Sequence, residues 1–248
     1  RCGSVAEQLE RAKGRLRGKT GAEKFIAYFR SYTNTYAPVE YLEKLFSEAM
    51  AEESVVALSI GTRPDCLPEE VVALLEKLNR VKPVWVELGL QTIHPETARY
   101  IRRGYDLHVY EDALRRLRAS GLTVIVHVIL GLPGETREMM LATIDYLAGP
   151  HRPDGIKLQL LHVLEGTDLA DEYRAGKFRT MEMGAYFDLL FECLGRLPAD
   201  MVIHRLTGDG PKRTLIAPKW TADKKRVLNA LRRELENRDI WQGERRQF

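Results

Sequence analysis

The chain has 248 residues, with 38 Lys or Arg, 35 Asp or Glu and a formal net charge of +3. Its 44% hydrophobic residues give a globular composition, which excludes a disordered or fibrous protein. No apolar run reaches the length of a membrane span, so no membrane span and no membrane partner are predicted. The first residue is Arg1, not Met, and we therefore expect the natural N-terminus to be missing.

Three cysteines are present, namely Cys2, Cys66 and Cys193. They are too few and too widely spaced for a disulfide scaffold, which favours a reducing cytosol, and we therefore expect a cytoplasmic protein. No C-x-x-C spacing occurs, so neither a zinc motif nor an iron–sulfur motif is written in the chain. Each cysteine by itself is interpreted as a small buried or neutral residue.

Strands and helices alternate in the order that a parallel α/β sheet requires. Each predicted strand but the last is followed by a segment with helical apolar spacing, and Pro38, Pro68 and Pro95 open helices. A crossover helix between successive strands requires parallel pairing, in a doubly wound sheet or in a (β/α) barrel. The strands are predicted at 24–29, 55–60, 84–90, 123–130 and 156–164. A helix at 186–197, a strand at 201–206 and a last charged helix are predicted to follow.

Each of these five strands has one apolar face and one face with polar members. Because side chains alternate across a strand, the polar residues can be assigned to a common face. An unpaired buried charge costs several kcal/mol, so this face is predicted to line a polar cavity, which favours a barrel. An internal pair of Glu87 with Lys157 or with His127 that only fills the core is the alternative. The polar residues on this face are Tyr28, Ser59, Glu87, His127, Lys157 and Gln159.

The loops after the predicted strands are polar or glycine-rich. They cover residues 30–38, 61–65, 91–92, 131–136 and 165–167. The carboxyl ends of parallel strands are where α/β folds place their sites. The G-x-G-x-x-G and Walker A patterns are absent, so neither of these nucleotide-binding motifs is predicted.

An ordered series of motifs carries a family resemblance. Residues 61–65 (GTRPD), 87–92 (ELGLQT), 103–104 (RG), 129–135 (ILGLPGE) and 165–167 (EGT) together resemble the radical S-adenosylmethionine (SAM) superfamily. Within this superfamily, the motifs resemble those of the branch that contains oxygen-independent coproporphyrinogen oxidase and the elongator-type tRNA-modifying enzymes. Residues 32–38 (YTNTYAP), 59–68 (SIGTRPDCLP), 161–164, 201–208 and 216–220 narrow the resemblance to the YhcC/YtqA group.

The resemblance implies an α/β fold, namely a partial (β/α)6 TIM-like barrel. The first strand and the cluster loop are expected to be missing, and a helix–strand–helix extension to follow at the C-terminus. We expect a radical SAM core over residues 1–180 and a group-specific extension over residues 181–248. The implied reaction is reductive cleavage of SAM by a [4Fe–4S] cluster to a 5′-deoxyadenosyl radical, which abstracts hydrogen from a substrate.

The resemblance also assigns residues to the cofactor. The loop after the first strand takes the position that holds the SAM amino group in relatives, and the other assigned residues take positions near the carboxylate, ribose and adenine. The implied SAM-binding residues are Ser31, Tyr32, Thr33, Asn34, Thr62, Arg63, Glu87, Gln91, His127, Ile129 and Gly131. Apart from the resemblance, substrate contacts are predicted at Lys157, Gln159, His204 and Arg205. For His204 and Arg205 the alternative is a capping element that closes the open barrel. No residue is assigned to the hydrogen abstraction, and the substrate is not assigned either.

One departure concerns the cluster, because the Cys-x3-Cys-x2-Cys motif of the superfamily is absent. The resemblance places those ligands N-terminal to the chain shown, so no metal ligand is assigned within it. A non-catalytic RNA-binding or assembly module, or a (β/α) enzyme of another class, therefore remains an alternative. The implied partners are an electron donor such as flavodoxin or ferredoxin and a substrate for which RNA, tRNA in particular, is a candidate. The basic C-terminal segment near Trp220 and Trp241 favours RNA, and a solvated helix face is the alternative because acidic residues are interleaved in it.

Overall fold

A six-stranded sheet is the largest element of the computed structural model. The structure describes residues 3–30, 32–208 and 210–244, and within these the side chains of 17–20 are not described. The strands are β1 Phe25–Phe29, β2 Val55–Thr62, β3 Val84–Gln91, β4 Thr123–Leu130, β5 Gly155–Leu160, β6 Val163–Leu164, β7 Val202–Arg205 and β8 Leu215–Ala217. The large sheet has the order β1-β2-β3-β4-β5-β7, and β6 and β8 form a separate antiparallel pair.

Helices connect the strands in the described part of the chain. They are α1 Val5–Thr20, α2 Val39–Ala51, α3 Glu69–Asn79, α4 Pro95–Tyr100, α5 Leu107–Ala119, α6 Arg137–Ala148, α7 Asp168–Arg174, α8 Met183–Arg196 and α9 Lys224–Asn237. As predicted, the helices α2, α3 and α4 begin directly after or at a proline, whose fixed φ suits a helix start. None of the helices in the described ranges combines the length and the apolar character needed to span a membrane.

Parallel pairing follows from the alternation of strands and helices. Strand β1 pairs in parallel with β2, which places Tyr28 opposite Ser59. Strand β2 pairs in parallel with β3, which places Gly61 opposite Glu87. The prediction of a parallel α/β sheet is therefore confirmed for these strands, and the register brings polar side chains of three strands close together.

The last predicted strand of the core differs from the observed one. The sequence predicted a single strand over 156–164, whereas β5 ends at Leu160 and β6 pairs with β8 instead. The reason is long-range pairing, because Val163 lies opposite Ala217 and Leu164 opposite Leu215. Strand β7 pairs in parallel with β5 and supplies the sixth strand of the large sheet. The division of the chain at residue 180 remains a prediction.

The chain forms two compact units. The first comprises Arg1–Gly89 and Tyr105–Val126, and the second comprises Leu90–Gly104 and His127–Phe248, within the described residues. The first unit buries apolar residues of β2, α2 and α3, with Phe46, Leu58 and Leu75 almost fully inaccessible. The second unit buries the apolar side of α8, including Leu189 and Leu190.

Candidate functional site

A buried carboxylate lies in the first unit on β3. Glu87 is only 3% exposed. Its Oε2 accepts a hydrogen bond from the Tyr28 hydroxyl at 2.7 Å, and its Oε1 accepts one from the Ser59 hydroxyl at 2.5 Å. These three side chains, which we call the Glu87 cluster, belong to the polar face predicted from strand alternation. Two hydroxyl donors offset part of the cost of burying this polar group.

The loop after β1 is tied to the end of β2. The Asn34 carboxamide donates to the backbone oxygens of Phe29 at 3.0 Å and of Gly61 at 2.8 Å. Tyr32, with φ +62°, is almost fully exposed, and Thr33 is half-buried. Ser31 lies outside the described residues. Of the four loop residues assigned to SAM, Asn34 thus holds the loop in place, and Tyr32 projects into solvent.

Thr62 and Arg63 follow at the end of β2 and both have protein partners. The Thr62 hydroxyl shares a 2.5 Å hydrogen bond with the hydroxyl of Thr35. The Arg63 guanidinium donates to both carboxylate oxygens of Asp65, at 2.9 and 2.6 Å, and lies 5.3 Å from the centre of the Tyr105 ring. These hydrogen bonds lower the pKa of the Asp65 carboxyl. Asp65 was not predicted as a site residue, although its position two residues after Arg63 is a usable signal.

Two of the motif segments line a cavity of about 790 Å³ in the first unit. Its walls come from residues 35–38 and 64–68 and from two residues of α5, Val109 and Arg116. Arg116 donates to the backbone oxygen of Leu67, which fixes one wall. The cavity is large enough for a small-molecule ligand, and sequence reasoning did not predict it.

Gln91 ends β3 in the second unit and has two unusual properties. Its backbone has φ +68°, a left-handed conformation that residues other than glycine adopt rarely. Its Oε1 is buried and has no hydrogen-bond partner among the described residues. An unsatisfied buried acceptor costs free energy, so a donor from a bound molecule would fit this position.

His127 and Gln159, on β4 and β5, contact each other. The Gln159 amide nitrogen lies 3.2 Å from Nδ1 of His127, and both side chains are half-buried. If the amide nitrogen donates, the ring carries its proton on Nε2, which fixes one tautomer. The prediction that these two residues share a face agrees with this contact.

Gly131 marks the end of β4. Its φ of +81° suits glycine, and a Cβ there would lie 3.2 Å from the sulfur of Met181. Its amide donates to the sulfur of Met140 at 3.0 Å. Ile129, two residues earlier, is half-buried. The backbone at Gly131 is thus open to close approach only because the residue has no side chain.

The residues assigned to substrate lie on β5 and β7. Lys157 is buried and lies opposite Arg205 in the register of these strands. His204 packs its ring on β5, where a Cβ at Gly155 would come within 2.7 Å of it. Glycine at position 155 therefore makes room for the imidazole of His204.

A further polar cluster in the second unit was not assigned a role from the sequence. Thr92 donates to the Glu135 carboxylate at 2.5 Å, and its Oγ1 accepts from the backbone amide of His94 at 3.1 Å. Arg103 is buried and donates to the backbone oxygens on either side of Gln91. Burial raises the pKa of Glu135. Arg103 and Glu135 both belong to the motifs that carried the resemblance, which is the signal that was available.

The described residues do not fit the ligand set of an iron–sulfur cluster. No group of three or more His, Cys, Asp or Glu side chains among them converges on one point. Burial raises the pKa of Cys66, and it raises that of Cys193 to about 12, whereas cluster ligands are thiolates. Cys2 lies outside the described residues. For SAM the outcome differs, because the unsatisfied Oε1 of Gln91 fits a hydroxyl donor.

Comparison with known proteins gives a consistent assignment. The radical SAM superfamily profile matches residues 5–147, and the radical SAM C-terminal domain profile matches residues 153–237. The chain is 43% identical to uncharacterized protein YtqA of Bacillus subtilis over 243 residues, covering 98% of this chain and 75% of YtqA. Protein YhcC of Escherichia coli is 36% identical over 218 residues, covering 88% of this chain and 69% of YhcC.

More distant similarity extends to archaeal proteins. A tRNA uridine(34) acetyltransferase of Methanocaldococcus jannaschii is 29% identical over 168 residues, which are 67% of this chain and 30% of that protein. The solved structure of Methanocaldococcus infernus Elp3 with an N-terminal deletion superposes with a TM-score of 0.78 at 23% identity. The match covers 97% of this chain and 62% of that chain. The predicted partial (β/α) barrel fold is therefore confirmed.

Proposed function

Because the chain belongs to the radical SAM superfamily, we propose that it binds S-adenosylmethionine at the carboxyl ends of its parallel strands. Members of this superfamily use SAM together with a [4Fe–4S] cluster, and a bound cluster would supply the electron for reductive cleavage of SAM, which starts hydrogen abstraction from a substrate. The proposed SAM contacts are the assigned residues in the loop after β1 and those within or directly after β2, β3 and β4.

The observation that carries SAM binding is the unsatisfied acceptor of Gln91. A side-chain amide oxygen accepts from a hydroxyl group, and the ribose of SAM offers two hydroxyls. Its buried oxygen lacks a donor among the described residues, so a ribose hydroxyl in that place would restore the missing hydrogen bond. A preorganised acceptor of this kind binds without first losing another partner.

In the first unit, other assigned polar residues are proposed to orient the ligand. Tyr28 and Ser59 hold the Glu87 carboxylate in one position, where we propose that it accepts from the ligand. Asn34 fixes the loop proposed to hold the SAM amino group. The Arg63 donors are bound to Asp65, so a SAM carboxylate would approach a guanidinium whose orientation is already set.

The reductive step needs thiolates that the described residues do not supply. We therefore propose that the cluster ligands lie outside the described residues. An electron donor such as flavodoxin or ferredoxin is proposed to reduce the cluster. The test is anaerobic iron–sulfur reconstitution of the chain and of a longer form that adds whatever sequence the gene encodes upstream of residue 1. We expect reductant-dependent cleavage of SAM only in the longer form, and no cleavage in either form would contradict the enzyme assignment.

We propose RNA as the substrate class to test first. The M. jannaschii relative is named a tRNA uridine(34) acetyltransferase, and the start of α9 presents the exposed cations Lys224, Lys225 and Arg226. Phosphate contacts made by such cations weaken steeply with salt. Gel-shift titrations of tRNA between low and physiological salt should show this dependence. Salt-independent binding, or none, would contradict an RNA substrate held by this surface.

SAM binding itself is tested by calorimetry on Gln91→Ala. Loss of one neutral hydrogen bond should weaken SAM affinity about threefold to tenfold. Gln8→Ala, at an exposed position on α1, is the matched control and should leave affinity unchanged. Equal affinity of Gln91→Ala and the starting protein would refute the role of Gln91.

A further inference from the structure

Gln91 is the central residue of a very tight turn. The backbone amide of Thr92 donates to the backbone oxygen of Leu90 at 2.9 Å, which closes a three-residue turn around Gln91. With φ +68° at the centre, this is the form of the γ-turn that is rare and strained. A residue with a side chain takes this conformation only where the surroundings enforce it.

Arg103 holds the strained turn at Gln91 from one side. Its NH1 donates to the backbone oxygen of Leu90 at 3.1 Å and to that of Thr92 at 2.7 Å. One guanidinium nitrogen therefore binds both carbonyls that flank Gln91. Arg103 is itself only 7% exposed, and its own amide donates to Ala98, so its position is set by α4 and the segment that follows.

Thr92 is held from the other side. It is fully buried, and its hydroxyl donates to Glu135 at 2.5 Å while accepting from the amide of His94. Glu135 lies in the loop before α6, so this contact ties the turn to a second element. Both neighbours of Gln91 are fixed, while its own amide oxygen is left without a partner in the described residues.

We propose that Arg103 is a positioning residue that holds Gln91 in its strained turn, so that the amide oxygen is presented to the ligand. The inference rests on the proposed function, because it takes SAM as that ligand. Arg103 acts through the backbone of residues 90–92, with Thr92 and Glu135 as the second support. A purely structural arginine would stabilise the fold without favouring any state of Gln91.

Calorimetry on a double-mutant cycle separates these two roles. Arg103→Met keeps the aliphatic stem and removes the donors, and it should weaken SAM binding about threefold to tenfold. In a Gln91→Ala background the same substitution should cost less than about twofold, because its effect passes through Gln91. Arg103→Lys, which keeps a cationic donor, should recover part of the affinity. The neighbouring Arg102→Met is the control, because Arg102 is exposed and pairs with Asp168.

A second cycle measures thermal stability and needs no ligand. Gln91→Gly relieves the left-handed strain and should raise Tm by about 2–4 °C. In the Arg103→Met background this gain should shrink, since the turn is then no longer enforced. Arg103→Lys serves in its place if Arg103→Met does not fold.

The two cycles distinguish the ways in which the inference and the proposed function fail. Equal costs of Arg103→Met in both backgrounds, or an unchanged gain from Gln91→Gly, would overturn the positioning role. If the starting protein does not bind SAM, the proposed function fails, and the role of Arg103 as a positioner for SAM fails with it. The stability cycle then still decides whether Arg103 enforces the turn.

Discussion

Strand β3 carries two polar residues four positions apart whose surroundings differ. Glu87, an acidic residue in the first unit, is buried and accepts hydrogen bonds from two hydroxyl donors. Gln91, in the second unit, is neutral and strained, and its buried oxygen has no donor among the described residues. The carboxyl group of Glu87, which costs more free energy to bury when ionised than an amide does, thus has the more complete set of hydrogen-bond donors.

This difference separates two kinds of contribution. A buried carboxylate that keeps its partners contributes to a defined local structure, and removing a partner leaves part of its desolvation cost uncompensated. A strained and unsatisfied amide lowers stability in the unliganded protein, and such costs are concentrated at functional sites. Substitutions at the two positions should therefore change stability in opposite directions.

The largest effect is expected at the Glu87 cluster. Ser59→Ala removes a donor to a buried carboxylate and should lower the free energy of unfolding by about 1.5–3 kcal/mol. Tyr28→Phe should cost less, because Tyr28 is 39% exposed and water can replace its hydroxyl. Urea denaturation of both variants measures the loss. The control is Ser47→Ala on the exposed side of α2, which should stay within about 0.5 kcal/mol.

An effect of opposite sign is expected at Gln91. Gln91→Leu keeps the size of the side chain and the strained backbone but removes the unsatisfied acceptor, so it should raise the free energy of unfolding by about 1 kcal/mol. Denaturation without ligand is the measurement. A loss of stability would mean that the amide is satisfied in solution, by water for example, and the contrast with Glu87 would then be wrong.

Much of the Glu87 cluster was predictable from the sequence. Strand periodicity predicted β1, β2 and β3 to within about two residues at each end, and alternation placed Tyr28, Ser59 and Glu87 on one face. The contact of His127 with Gln159 follows from the same reasoning. These are local properties of strands that pair in parallel with a fixed register, and the sequence carries them directly.

The environment of Gln91 was not predictable in the same way. A positive φ in a residue other than glycine leaves no compositional signal, and the bonds that hold the turn come from Arg103 and Glu135. The pairing of β6 with β8 was missed for a related reason, because it joins segments that are about 50 residues apart in the chain. The ion pair between Arg63 and Asp65 depends on side-chain conformations that the two-residue spacing permits but does not determine.

The smallest effect is expected at Glu135, which supports the turn through Thr92. Burial raises the pKa of this carboxyl above its usual 4.5, while its hydrogen bond from Thr92 and its electrostatic interaction with His94 act in the opposite direction. In the pH range between the unfolded and the folded pKa the native state binds more protons than the unfolded state, so stability falls as pH rises through this range.

Glu135→Gln removes this titration and retains an acceptor for Thr92. The variant should therefore gain stability relative to the starting protein as pH rises above about 4.5, and below that value the difference should be constant. Denaturation curves from pH 4 to pH 8, on the order of one per half unit, measure the difference. A difference that does not change with pH would show that Glu135 is not perturbed, and Thr92 would then be held by an ordinary carboxylate on the side of the turn opposite Arg103.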